Sequence, residues 1–196
     1  MAQNRQRTRS KNFVTGRNFS GGAVFFIILI CSIPFPLAAY QKGIALGLYH
    51  KEPGYAYETE LKEIRATGAD HVSLIVSWYQ KNSQATRIHP YLKTVGDFST
   101  TSDEDLSRII KEAHKNRLKV FLFPILRLEE RKEKEWRGNI APVDLKTWLK
   151  NYENFTLHYA HLSAQNHVEL FSVGSELCSM EAHEKFWENL IGKMKR

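Results

Sequence analysis

The sequence predicts an α/β fold, a parallel sheet covered by helices, with the first four units of a (β/α) TIM-type barrel. Two observations carry this. Four apolar runs rich in β-formers alternate with amphipathic stretches at helical spacing, the pattern of parallel strands joined by helices. Residues with chemical character gather directly after those runs, the face that carries catalysis in barrels. A third observation narrows the class. No Gly-x-Gly-x-x-Gly follows any strand and no phosphate-loop lysine motif is present, so a dinucleotide or nucleotide fold is not indicated.

In chain order, residues 1–22 are polar and basic without periodicity and read as a disordered n-region. Residues 23–41 hold the one long apolar run, Ala23 to Ile33, followed by Pro34, Pro36 and Leu37-Ala38-Ala39. The run is short against the roughly 20 residues of a spanning helix. A cleaved secretory signal is the first expectation and an uncleaved membrane anchor the second. Either makes an exported protein whose only membrane contact is this segment.

Residues 42–196 then hold the domain. Ile44 to Tyr49 is the first strand, and residues 51–56 form a Gly/Pro loop. Tyr57, Leu61 and Ile64 share a helix face, which Thr67-Gly68-Ala69-Asp70 ends. His71 to Trp78 is the second strand, followed by a polar loop to about Thr100. Thr101-Ser-Asp-Glu104 has capping-box spacing and opens a helix with Leu106, Ile109, Ile110 and Ala113 on one side. Leu118 to Ile125 is the third strand. A charged loop follows, and Asp144 starts a long helix with Trp148, Tyr152, Phe155 and Tyr159 in its apolar stripe. Val168 onward forms the fourth strand, and the last helix carries Phe186, Trp187, Leu190 and Ile191.

The fourth strand meets Gly174, small enough for a tight turn or close ligand approach, and then Glu176. A carboxyl group on a strand's C-terminal end suits a general acid. The same residue would equally serve as a helix cap or a solvated charge. Cys178 beside it reads as a structural thiol or a nucleophile, with the buried structural thiol preferred. His158 and His161 are three apart on a helix, but no carboxylate or cysteine spacing completes a metal set.

The net charge of +7 is unevenly spread. Residues 1–41 hold five basic residues and no acid, leaving 28 − 5 = 23 basic against 21 acidic in the remainder. The near balance of the folded part does not support a nucleic-acid footprint.

Taken together and in order, several segments resemble glycoside hydrolase family 113, β-mannanase-type enzymes with an eight-fold (β/α) barrel. They are Lys42-Gly43-Ile44, Trp78-Tyr79-Gln80, Ala113-His114 before Leu118-Lys119-Val120, and Trp136-Arg137-Gly138. Trp148 with Tyr152, Phe171 through Leu177, and Phe186-Trp187 with Leu190-Ile191 complete the set. The resemblance implies a polysaccharide or oligosaccharide substrate of β-linked, mannan-like type and no cofactor. It places Glu176 as the acid/base carboxylate of a retaining mechanism, with Trp78, Tyr79 and Trp136 near the sugar cleft. Arg137 would hold a carboxylate there. Two departures accompany it. The family pattern places a histidine near the third strand's proline, where this chain reads Pro124-Ile125-Leu126-Arg127-Leu128. Only four of eight βα units are present, so the expectation is a chain truncated before the nucleophile strand, its partner a missing C-terminal half barrel. Glu52, Glu129, Glu130, Glu133 and Glu181 are the other acids at the strand ends. The alternatives are a non-catalytic carbohydrate-binding half barrel and a decayed gene fragment.

Overall fold

The computed structural model describes residues 40–195 except 51, 53, 94 and 97. The basic and apolar segments of residues 1–39 lie outside the described residues. Among the described residues, no helix is long and apolar enough to cross a membrane.

The described chain alternates strand and helix: β1 Gly43–Gly47, α1 Glu58–Ala66, β2 His71–Gln80, α2 Asp103–Lys115, β3 Lys119–Leu128, α3 Leu145–Gln165, β4 Leu170–Phe171 and α4 Glu184–Met194. The strands form one sheet in the order β1-β2-β3-β4, and every pairing is parallel. Each neighbour is the next strand in sequence and is reached through a helix, the connection of a (β/α) barrel. The sheet is open, not closed into a barrel.

Strand parity decides what each side chain meets. On β2 and β3, Val72, Leu74, Val76, Val120 and Leu122 are fully buried. Their register partners put them on one face, which α2 and α3 cover. The alternate residues Ser73, Ile75, Phe121 and Phe123 face the other way and are half-buried. The core is therefore the layer between sheet and helices. Its largest buried side chains come from α3: Trp148, Tyr152, Phe155 and Tyr159, the apolar stripe expected from the sequence.

The helix starts are set by side chains. Ser102, one residue later than the capping box anticipated, accepts from the Asp105 backbone N–H at 3.1 Å. At α3, Asp144 accepts from Thr147 N at 3.0 Å and from the Thr147 hydroxyl at 2.6 Å. These bonds favour the charged form and hold its carboxyl below the usual carboxylate range, the Thr147 hydroxyl being the larger cause. A depressed folded-state value stabilises above the unfolded pKa and is lost as pH falls through the folded one. The thermal midpoint of the protein is thus expected to fall on acidification below about pH 4 more steeply than that of Asp144→Asn, which keeps the cap without the titration. Parallel melts from pH 5 to pH 3 check this; identical slopes would contradict it.

The strand bounds differ from the sequence expectation. Strands β2 and β3 run on to Gln80 and Leu128, bringing Arg127 into the sheet. The fourth strand is only Leu170–Phe171. It is short because the chain leaves the ladder after Ser172, whose N–H donates to Leu122 O at 3.0 Å.

Candidate active site

The loop after β4 is tied down at several points. Leu177 and Met180 are buried, the Trp187 indole N–H donates to Met180 O at 2.9 Å, and Ser179 Oγ donates to Ile140 O at 2.7 Å. The last bond joins it to the loop after β3, where Arg137–Asn139 form a single 3-10 turn. Glu176 sits in this fixed frame with φ 54°, in the left-handed region. For a non-glycine residue that conformation costs about 1–2 kcal/mol, and such strain gathers at functional positions. Its carboxylate Oε2 meets Arg137 at 2.7 Å, with Glu176 half exposed at 52% and Arg137 at 24%. The Arg137 Nε is buried without a partner.

Beside this pair lies a cavity of about 280 Å³ lined by Val173, Gly174, Glu176, Glu181 and Trp187. Glu176 thus lines this cavity while Arg137 holds its Oε2. An oriented carboxyl group on the rim of such a cavity can give a proton to an oxygen placed within it and take one from water.

Gly174 has a different reason from the one expected. Its φ is not in the left-handed region, and besides lining the cavity it stands against packed aromatic side chains. A Cβ there would lie 3.2 Å from the Tyr152 hydroxyl and 3.4 Å from Trp187. Tyr152 cannot retreat, because it is buried and its hydroxyl donates to Val173 O at 3.0 Å. Gly174→Ala is accordingly expected to destabilise by about 1–3 kcal/mol, measured by urea unfolding. An unchanged midpoint would show that the contact yields.

The other expected site residues are divided. Trp136 is 40% exposed and its ring folds over Gly138, where a Cβ would come within 2.4 Å of it. It lines a second cavity, also of about 280 Å³, together with Arg137. Tyr79 points to the same side of β2 but is fully buried. Its hydroxyl donates to Ser99 O at 2.8 Å, and its ring packs on Tyr91 and Phe98 at 5.1 and 5.4 Å. It supports the floor of the face and offers no surface. Trp78 requires a correction. Parity puts it on the helix side of β2, against Phe155 and His158 at 5.3 Å and Tyr159 at 6.1 Å. It packs α3 and is not brought to Glu176.

Cys178 is exposed, not buried. His158 faces Asp103 at 2.9 Å, and among the described residues no group of three His, Cys, Asp or Glu could hold a metal ion. Of the other acids, Glu181 shares the Glu176 cavity. Glu129 faces His89 at 3.3 Å, Glu130 faces Lys81 at 3.7 Å, and Glu52 lines a separate cavity beside His50 and Tyr55. Sequence reasoning missed Arg127 and Tyr49. The Arg127 guanidinium lies 5.4 Å from the Tyr49 ring centroid and 5.6 Å from that of Tyr79. Burial pushes the Tyr49 phenol up and the Arg127 charge opposes it. The signal was available: Arg127 follows Phe121, Phe123 and Ile125 at period 2, a charge at the end of an inward-facing row.

A parallel sheet whose consecutive strands are joined by helices has the architecture of the (β/α)-barrel class. The family model for Glycoside Hydrolase Family 113 matches residues 45–196, and the chain belongs to that family. Among solved structures, it is similar to a GH113 β-1,4-mannanase determined as a complex, at TM-score 0.67 and 23% identity over 80% of this chain and 52% of that one. It is also similar to the GH113 β-mannanase AaManA from Alicyclobacillus acidocaldarius in complex with ManMIm, at TM-score 0.67 and 21% identity over 80% of this chain and 51% of that one. At these identities the likeness carries the fold. The chain spans about half the length of the mannanases it resembles. No curated protein sequence matches it.

Proposed function

We propose that this chain carries the acid/base carboxylate of a retaining glycoside hydrolase acting on a β-linked saccharide of mannan type. The observation that carries the reading is Glu176. It stands in the loop after β4 in a strained backbone conformation, held through Oε2 by Arg137 and lining a cavity. In the forward step the Glu176 carboxyl protonates the glycosidic oxygen as the bond to the anomeric carbon breaks. A second carboxylate forms an ester with that carbon in the same step, and in the second step the Glu176 carboxylate takes a proton from the water that displaces the ester. Arg137 positions the carboxylate between these steps. Trp136 offers an aromatic face to a sugar ring, whose C–H groups pack on it while hydroxyls reach polar groups at the rim.

Retention requires a second carboxylate about 5–5.5 Å from the first. Glu181 is the one other acid lining the Glu176 cavity among the described residues, and it lies on the same loop. This favours a second reading for these residues: sugar binding without turnover. Tryptophan fluorescence titrated with manno-oligosaccharides, run beside a reducing-sugar assay, separates the readings. Binding with turnover supports the hydrolase reading, binding alone supports the second reading, and the absence of both contradicts the proposal.

A further inference from the structure

The second cavity, at the C-terminal end of β3, is unusual in its charge. Arg127, Arg131 and Arg137 all line it, with Glu129 and Trp136. Of the nearby carboxylates, Glu176 is held by Arg137 at 2.7 Å, and Glu129 lies 3.3 Å from His89 through Oε1, a buried oxygen that accepts no hydrogen bond. Among the described residues, neither Arg127 nor Arg131 has a carboxylate within ion-pair distance, whereas Arg137 and ten other cations or histidines do, Lys62, Lys81 and Lys193 among them. Arg127 is also the more confined of the two. It is half-buried, and the rings of Tyr49 and Tyr79 hold its guanidinium at 5.4 and 5.6 Å. Aromatic faces stabilise a cation without neutralising it, and they fix the guanidinium plane. A fixed guanidinium with free N–H groups facing a cavity is matched by a carboxylate, which it binds through two parallel hydrogen bonds. A neutral pyranose leaves that positive charge uncompensated.

Resting on the glycosidase reading above, we infer that the saccharide taken at this end of the sheet is anionic, a uronate-type sugar whose ring carboxylate is received by Arg127. Trp136 lies under the same cavity as the apolar platform, and Arg131 adds charge at the exposed mouth. Arg127 here is a specificity-determining residue.

The test is calorimetric titration of the full chain with two tetrasaccharides alike in ring and linkage, β-1,4-mannotetraose and β-1,4-tetramannuronate. They differ only in CH₂OH against carboxylate on C5. The acidic tetramer is expected to bind at least tenfold more tightly, with an affinity that falls as salt rises. Arg127→Gln is expected to remove that preference while mannotetraose binding persists, which also reports that the variant is folded; Arg127→Lys is expected to restore part of it. Inorganic sulfate at matched ionic strength distinguishes an anion site from a sugar site. Sulfate that competes as well as the tetramer overturns the saccharide assignment. Equal or tighter binding of mannotetraose overturns the anionic preference and leaves the glycosidase reading standing. Failure of both sugars to bind overturns both.

Discussion

Glu176→Gln is expected to lower hydrolysis of β-1,4-manno-oligosaccharides by about 10²–10⁴-fold in any form of the protein that turns them over, the range supplied by a positioned general acid–base. The amide keeps the size and the left-handed backbone of Glu176 and removes only the transferable proton and the charge. Folding is expected to survive, because the side chain is half exposed and no core residue packs on it as a partner in burial. The acid role has a further consequence. Substrates with an aryl leaving group that departs without protonation lose far less of their rate in the variant than oligosaccharides do. A residue that merely positioned sugar would depress both equally. Unchanged oligosaccharide hydrolysis in the Gln variant would remove Glu176 from the chemistry altogether.

The largest effect on stability is expected at Trp148. It is fully buried on α3, stacks on Tyr152 with ring centroids 5.1 Å apart, and donates its indole N–H to the Gln80 side-chain oxygen at 2.8 Å. Gln80 is itself fully buried at the end of β2. Trp148→Ala opens a cavity worth about 3–5 kcal/mol and strands the Gln80 oxygen, adding about 1–3 kcal/mol. Against the roughly 5–15 kcal/mol of a typical domain, such a loss is close to unfolding. Trp148→Phe keeps most of the volume and loses the hydrogen bond, so it separates the two contributions. Urea unfolding of the three forms measures them. Equal losses in the Ala and Phe variants would place the effect in the hydrogen bond and contradict a packing role.

Much of this architecture is legible in the sequence, for physical reasons that differ from element to element. The α2 and α3 stripes repeat at 3.6 residues, and Asp144 caps α3 where the apolar pattern begins, because both features are local. The failures come where an outcome depends on a neighbour. The apolar run from Val168 has the composition of a strand, but it pairs only through Leu170–Phe171, since the ladder ends where the chain bends toward Glu176. The resemblance implies that Trp78 is a cleft aromatic. Parity with Val72, Leu74 and Val76 assigns it to the helices. That parity is hard to read in advance because both faces of β2 carry apolar residues. Glu176 and Arg137 are far apart in sequence, and their meeting depends on two loops joined by the Ser179–Ile140 hydrogen bond. Arg127 is hidden for a related reason: the strand was read as ending before it.

The central claim is that a saccharide binds with its cleavable end at Glu176. A β-1,4-manno-oligosaccharide carrying an epoxide on its reducing-end aglycone tests this most directly, because a carboxylate beside the aglycone opens the epoxide and keeps it as an ester. Peptide mass spectrometry then locates the label. The account predicts one ester, on Glu176, suppressed by free mannotetraose. A label on Glu52, Glu129 or another carboxylate, or no competable label at all, would contradict it.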